Sequence, residues 1–386
     1  MERHLTRRGA LTVLGGSAAA LPLAARTTAG TARAQSAPPA VYLGGYTGGD
    51  PEGGIGVARP DQTTGALRLE AVTPAPNPSF LALSPATGVL YAVDESAEGA
   101  VTAFALDDSG GIAGPLATVG SGGGSPCHVS VDPGGSHAFA ANYATGSVAV
   151  FALGENGAPT GLTDLVQHTG EGPDPDRQEG PHAHMVLPHP DGGLLYAADL
   201  GTDSVHVYVL DTATGRLTRR QEARFAPGSG PRHLALHPGG RTAYVLGELD
   251  LTLTPCTVDA ATGTLTPLTA VSALPPDADP AGATAAEVLV SPDGRFVYAS
   301  VRGHDSVAVF DVAGDRETAP ELLASHPCGG RSPRHLAFDA ASGRIFAANQ
   351  DSSQVSVLTR DTGDGGLSDA QTALSYPNVA CVLPAL

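Results

Sequence analysis

An all-β fold, a seven-bladed propeller of four-stranded antiparallel blades, is predicted by three observations: a strand motif that recurs six times, a near-constant period, and strand-like segments at the two ends that complement each other. The motif runs from Asn77 to Pro85, Pro126 to Pro133, His182 to Pro190, Pro231 to Pro238, Ala285 to Pro292 and Pro333 to Ala340. Its closing positions, 85, 133, 190, 238, 292 and 340, are separated by 48, 57, 48, 54 and 48 residues. A sustained period of this length with β-branched content marks a repeat architecture, and about fifty residues accommodate one four-stranded blade. The turns of a β-helix or open solenoid repeat faster.

Within each unit the elements follow in order. The first strand is apolar on both faces, as expected of a strand packed between neighbouring sheets. A Gly/Asp turn leads to a second apolar run, such as Leu90-Tyr91-Ala92-Val93, Leu195-Tyr196-Ala197-Ala198 or Val297-Tyr298-Ala299-Ser300. A third, alternating strand follows, as in Ser147-Val148-Ala149-Val150-Phe151 and Ser306-Val307-Ala308-Val309-Phe310. Thr-Gly-x-Leu then turns the chain into a fourth strand at Thr64, Thr214 and Thr262. Gly and Asp supply the tight turns, β-branched residues the strands. Six blades are complete. The seventh is split between Ala40–Tyr46 and Asn378–Leu383, which removes an exposed sheet edge. No long segment beyond the N-terminus has a helical period.

The unbroken repeat makes residues 40–386 one domain, preceded by a signal segment, 1–34, and a short linker, 35–39. Thr6-Arg7-Arg8-Gly9-Ala10-Leu11 is a twin-arginine pattern, Ala10–Ala25 an apolar stretch, and Ala32-Arg33-Ala34 a small-residue cleavage site. Together they read as a twin-arginine signal peptide, so the twin-arginine export machinery is an expected partner and an exported location, extracellular or in the cell envelope, is expected.

All 21 basic residues are Arg, and the net charge is −18. The absence of Lys excludes lysine Schiff-base chemistry. The charge argues against nucleic-acid binding, since no basic stripe replaces counterions. Cys127, Cys256, Cys328 and Cys381 lie in different blades without short spacings and are expected as buried or free thiols.

Aligning the units places chemistry in columns. Six positions before each closing residue stand Ser79, Cys127, His184, Arg232, Ala286 and Arg334; next come Phe80, His128, Met185, His233, Glu287 and His335. After the second strand stand Glu95, Tyr143, Leu200, Glu248, Arg302 and Gln350. Strand starts lie near a propeller's channel, and ionisable groups there cost free energy unless paired or functional. The 57-residue interval inserts a longer loop around Asp174–His184, expected to overhang the channel mouth. His182 and His184 alternate by two, so both point to one side of an extended strand. They offer a His-x-His pair that further imidazoles and Glu287 could complete as a Zn²⁺ set, but nothing in the sequence fixes a third ligand, so no metal and no cofactor is expected.

The stretches Arg177–His184, Gly230-Pro231-Arg232-His233-Leu234, Ala286–Arg295 and Arg302-Gly303-His304-Asp305-Ser306 resemble the seven-bladed propeller lactonases. That family takes in 6-phosphogluconolactonases of the propeller type and muconate cycloisomerase-like enzymes. The likeness covers roughly residues 40–386. It departs at Gly247 and Val301, where Asn is frequent. The resemblance implies a lactonase acting on a sugar lactone or related small-molecule lactone. It carries His184, Arg232, Glu248 and Arg302 over as the catalytic set. On that basis His184 is the expected general base, and Arg232 and Arg302 bind the oxyanion, a carboxylate or a phosphate. Glu248 orients an Arg or exchanges a proton. His182, Arg177, Glu287 and His335 are the expected substrate contacts. Two alternatives stay open: an exported non-catalytic binding propeller, and a cycloisomerase that forms a lactone.

Overall fold

The computed structural model describes residues 39–313, 319–339, 341 and 343–385. The twin-arginine pattern and cleavage site read from the sequence lie outside them. Seven four-stranded antiparallel sheets are arranged as blades, and the only helix among the described residues is one 3-10 turn, Gln350–Ser352. Blade 1 is built from Leu81–Leu83, Leu90–Asp94, Ala100–Leu106 and Ile112–Gly120. Blades 2 to 6 repeat the pattern from inner strands starting at Pro126, Ala183, Pro231, Thr284 and Pro333. Blade 4 adds a short fifth strand, Val271–Ser272, which pairs with Thr252–Val258.

Blade 7 takes its inner strand, Val379–Pro384, from the C-terminal end, and Val41–Gly45, Gly54–Pro60 and Leu67–Pro74 from the N-terminal end. Val41 faces Pro384 and Leu43 faces Val382 across the antiparallel seam. Closing a sheet in this way leaves no unpaired edge at the junction.

Seven apolar clusters, one per interface between neighbouring blades, form the core. With no Trp in the chain, Tyr and Phe provide the largest fully buried side chains. The tyrosines of the second strands also hook one blade to the next. Tyr42 Oη donates to Gly110 O at 2.8 Å, Tyr196 to Gly263 O at 3.0 Å and Tyr298 to Gly365 O at 2.8 Å. Gly263 and Gly365 occupy the Asp-to-strand turn with φ of +70° and +78°, a conformation that glycine adopts without a Cβ penalty. Each turn is tied by the aspartate's carbonyl: Gly263 N–H donates to Asp259 O at 2.7 Å and Gly365 N–H to Asp361 O at 2.9 Å. The Tyr-Ala run at Tyr196 and the Thr-Gly turn at Gly263 are therefore two halves of one contact. Each hydrogen bond contributes about 1 kcal/mol.

All four cysteines are free and buried. No helix among the described residues is long and apolar enough to cross a membrane.

Candidate active site in the channel mouth

The inner strands do not start as regular strands. In blade 3, Ala183 pairs with Asp199 and Met185 with Ala198, leaving His184 as the extra residue of a bulge. The same shift leaves Cys127, Arg232 and Arg334 unpaired at the starts of blades 2, 4 and 6, and in blade 5 it falls at Ala286 and Glu287. A bulge re-aims a side chain that strict alternation would send to the opposite face. Here it lets two consecutive positions, such as Arg232 and His233, both serve the channel. The second-strand column arrives on the same rim, because Glu95, Tyr143 and Glu248 each follow the last residue of a second strand and Arg302 ends one.

These groups surround a cavity of about 240 Å³ lined by Tyr46, Glu95, Cys127, Tyr143, Arg177, His184, Glu248, Arg302 and Arg334. Glu248 is its hub. Arg177 Nη2 donates to Glu248 Oε1 at 2.6 Å; Arg232 Nε and Arg302 Nη2 each lie 3.0 Å from Oε2. The Arg232 Nε approach is close but off the line of a good hydrogen bond. Arg232 and Arg302 also donate to the main-chain oxygens of Ala286 and Ala285. Burial alone would raise the Glu248 pKa, but Arg302, Arg232 and Arg177 outweigh it and hold the carboxyl down at about 2. At neutral pH it is an anion shared by the three arginines.

The loop before Ala183 explains how Arg177 reaches the hub. Gln178 is fully buried and donates to Leu200 O and Asp203 Oδ1, both at 2.8 Å. His182 N–H donates to Asp199 Oδ1 at 2.9 Å. With both ends pinned, Arg177 projects across the mouth, where Nη2 also lies 3.4 Å from Tyr143 Oη.

His184 is buried, and its Nδ1 has no hydrogen-bond partner among the described residues. Burial, with Arg232 and His233 adding to it, pushes its pKa well below 6.5, so the ring is neutral at pH 7. Cys127, opposite, is an inert thiol: burial drives its pKa far up.

One residue further along the inner strands lies a second layer. Phe80 packs against His128, His335 and His233 at ring distances of 4.2, 5.3 and 6.0 Å. Glu287 sits 3.0 Å from His233 Nδ1 and 3.4 Å from His335 Nε2. Val382 N–H lies 3.4 Å from His335 Nδ1, which fixes Nε2 as the protonated nitrogen facing Glu287.

Of the residues picked out from the sequence, His184, Glu248, Arg302 and Arg177 line the cavity, and Arg232 stands directly behind Glu248. His182 stacks on the Tyr143 ring at 4.6 Å, behind the wall. Glu287 and His335 belong to the layer below. Tyr46, Glu95, Cys127, Tyr143 and Arg334 are the wall residues not singled out as site residues. All but Tyr46 stand in the aligned columns. Tyr46 escaped because the alignment began with inner strands, whereas Val41–Gly45 is a second strand; Tyr46 follows it as Glu95 follows Leu90–Asp94. Among the described residues, the one grouping with metal-ligand spacing is His168, Asp199 and His206 under the loop, which includes neither His182 nor His184.

The buried histidines set an acid limit on stability. Burial holds His128, His184 and His233 well below 6.5, His335 at about 4 and His206 at about 3. Below pH ~6.5 the unfolded chain takes up protons that the folded chain refuses. Each such group then costs about 1.4 kcal/mol per pH unit until its folded pKa is reached. Glu287, raised by burial, works in the opposite sense and offsets only one of them. The melting temperature is expected to fall by more than about 10 °C between pH 7 and 5; a flat profile would show that these imidazoles are not buried as neutral rings.

Arginines, carboxylates and an imidazole thus converge on one rim of the propeller, which makes the channel mouth its candidate site. Residues 40–384 match the profile of the family described as lactonase, 7-bladed beta-propeller. A Bacillus subtilis 6-phosphogluconolactonase is 33% identical over 344 residues, which cover 88% of this chain and 97% of that relative. A solved structure of a Lactobacillus plantarum protein superimposes with a TM-score of 0.83 at 34% identity, covering 90% and 99% of the two chains. The Pseudomonas aeruginosa periplasmic gluconolactonase gives 0.82 at 28%, again covering 90% and 99%. The chain belongs to the seven-bladed β-propeller lactonase family.

Proposed function

We propose that the protein is a 6-phosphogluconolactonase-like lactonase that hydrolyses a sugar lactone, or a related lactone, in the channel-mouth cavity. The observation that carries this reading is the concentration of Arg177, Arg232 and Arg302 around one carboxylate beside a neutral imidazole, in a chain of net charge −18. Lactone hydrolysis makes an oxyanion and then a carboxylate, and guanidinium groups held in place stabilise both. Neutral His184 takes a proton from water as the water oxygen bonds to the lactone carbonyl carbon. The carbonyl electron pair moves to oxygen beside the arginines. Collapse breaks the ring C–O bond, and the proton passes from His184 to the departing ring oxygen, leaving a hydroxy acid. Glu248 keeps Arg232 and Arg302 in register throughout. A purely structural binding propeller has no need of this charge convergence. The twin-arginine pattern supports export of the mature chain from about Gln35.

The test is acid release by the purified protein from a panel of phosphorylated and unphosphorylated sugar lactones. Turnover well above spontaneous hydrolysis on at least one lactone is expected. No turnover on any of them would refute the proposal.

A further inference from the structure

The four arginines of the site are not equivalent. Arg177, Arg232 and Arg302 share Glu248, and the last two also donate to main-chain carbonyls. Arg334 has neither kind of contact. Among the described residues no carboxylate lies within 4.0 Å of its guanidinium, and none of its N–H groups meets an acceptor. What holds it is the Tyr46 ring, with the guanidinium carbon 5.5 Å from the ring centre. Glu95 is close enough to favour the charge but makes no ion pair with it. Its Oε2 accepts from Tyr46 Oη at 2.8 Å and from Ser79 Oγ. Tyr46 thus carries the cation on its face and the carboxylate at its tip, and keeps the two apart.

An arginine retains its charge throughout the biological pH range and presents five donors in a planar fork. Leaving such a fork without acceptors inside a cleft is costly, so a ligand that supplies them is the expected partner. We propose that Arg334 is a specificity-determining residue: it binds a second anionic group of the lactone, a phosphate monoester or a carboxylate, remote from the ring ester. The inference rests on the lactonase reading for the identity of the ligand. It divides the cavity into a reacting wall of His184, Arg232, Arg302 and Glu248, and a recognition wall of Tyr46, Glu95 and Arg334.

Arg334→Gln removes the fork and keeps a polar side chain of similar reach. Charge-assisted hydrogen bonds of this kind contribute about 1.5–3 kcal/mol, or roughly 10- to 150-fold in affinity. The wild-type protein should prefer a phosphorylated or carboxylate-bearing lactone to a neutral sugar lactone. Arg334→Gln should lower kcat/KM for the anionic substrate by roughly 10- to 150-fold, mainly through KM, with the neutral lactone changed less than about threefold. Comparing phosphorylated with carboxylate-bearing lactones identifies which anion is read. Equal losses on anionic and neutral lactones, or no loss on either, would overturn the proposal. Arg334→Lys, which keeps the charge but not the fork, should restore part of the preference and carries the test if the glutamine variant does not fold. Titration calorimetry with inorganic phosphate and with 6-phosphogluconate gives a readout that needs no turnover. Wild type should bind one or both at least tenfold more tightly than Arg334→Gln, and indifference to the substitution would count against the role. If no lactone is hydrolysed but this binding difference holds, the lactonase reading falls and the anion site stands.

Discussion

Replacing Glu248 by glutamine is expected to lower kcat/KM at least a hundredfold and to destabilise the fold by about 3 kcal/mol. Glutamine preserves the shape of the hub and removes its charge. Three guanidinium groups at 2.6 to 3.0 Å then lose their common anion. Arg232, only 2% exposed, is left as a buried cation facing Arg302. Burial and the neighbouring arginines already depress its pKa to about 10, so it has little margin for losing its counter-charge. Removing one partner of a buried ion pair costs far more than the pair itself contributes, because the survivor is stranded. The sign with pH follows. The folded pKa of about 2 lies below the unfolded value, so this contribution is complete above about pH 4.5 and is lost as pH falls toward 2. Differential scanning calorimetry and lactone turnover of Glu248→Gln read the two effects together. A variant with the wild-type melting temperature and activity would mean that the arginines are held by something else.

His184→Asn is expected to lower kcat by 10²- to 10⁴-fold while KM stays within a few-fold, since a positioned acid–base group acts in the transition state. Because the folded pKa of His184 lies well below 6.5, the wild-type kcat/KM should be flat through neutrality and turn down only at a distinctly acidic pH. The asparagine variant should lose that acid limb. A wild-type profile that breaks at pH 6.5 or above, or an asparagine variant that retains full turnover, would remove His184 from the role of base.

The blade architecture was legible because the units repeat their own punctuation: a proline closing the inner strand in five of the six complete units, tyrosine or phenylalanine in the second strand and glycine in the last turn. Most of the site was legible too, since the aligned columns contain every cavity residue except Tyr46 and Arg177, and the long interval in blade 3 drew attention to Arg177. Which column members face the cavity was not. Strand alternation assigns Arg232 and His233 to opposite faces, and only the bulge at Arg232 brings both to the channel at different depths. The same register shift separates Arg334, in the cavity, from His335, below it. Glu287 and His335 were grouped with the substrate contacts because ionisable groups in a channel strand look alike in sequence. Their partnership with His233 depends on three blades meeting at one level. The role of Glu248 was equally hidden, because Arg177, Arg232 and Arg302 converge on it from three separate stretches of chain.

The seam of blade 7 has a consequence beyond mechanical closure. Tyr46 follows the Val41–Gly45 strand, whose inner neighbour, Val379–Pro384, is the final strand of the propeller. The tyrosine that carries Arg334 is therefore seated by the seam itself: Tyr46 N–H donates to Asn378 O at 3.2 Å, and Asn378 Nδ2 donates back to Tyr46 O at 3.3 Å. A chain interrupted between Arg334 and the Val379–Pro384 strand would carry every cavity side chain and still lack a finished recognition wall. Closure of the ring and completion of the recognition wall are thus one and the same structural arrangement.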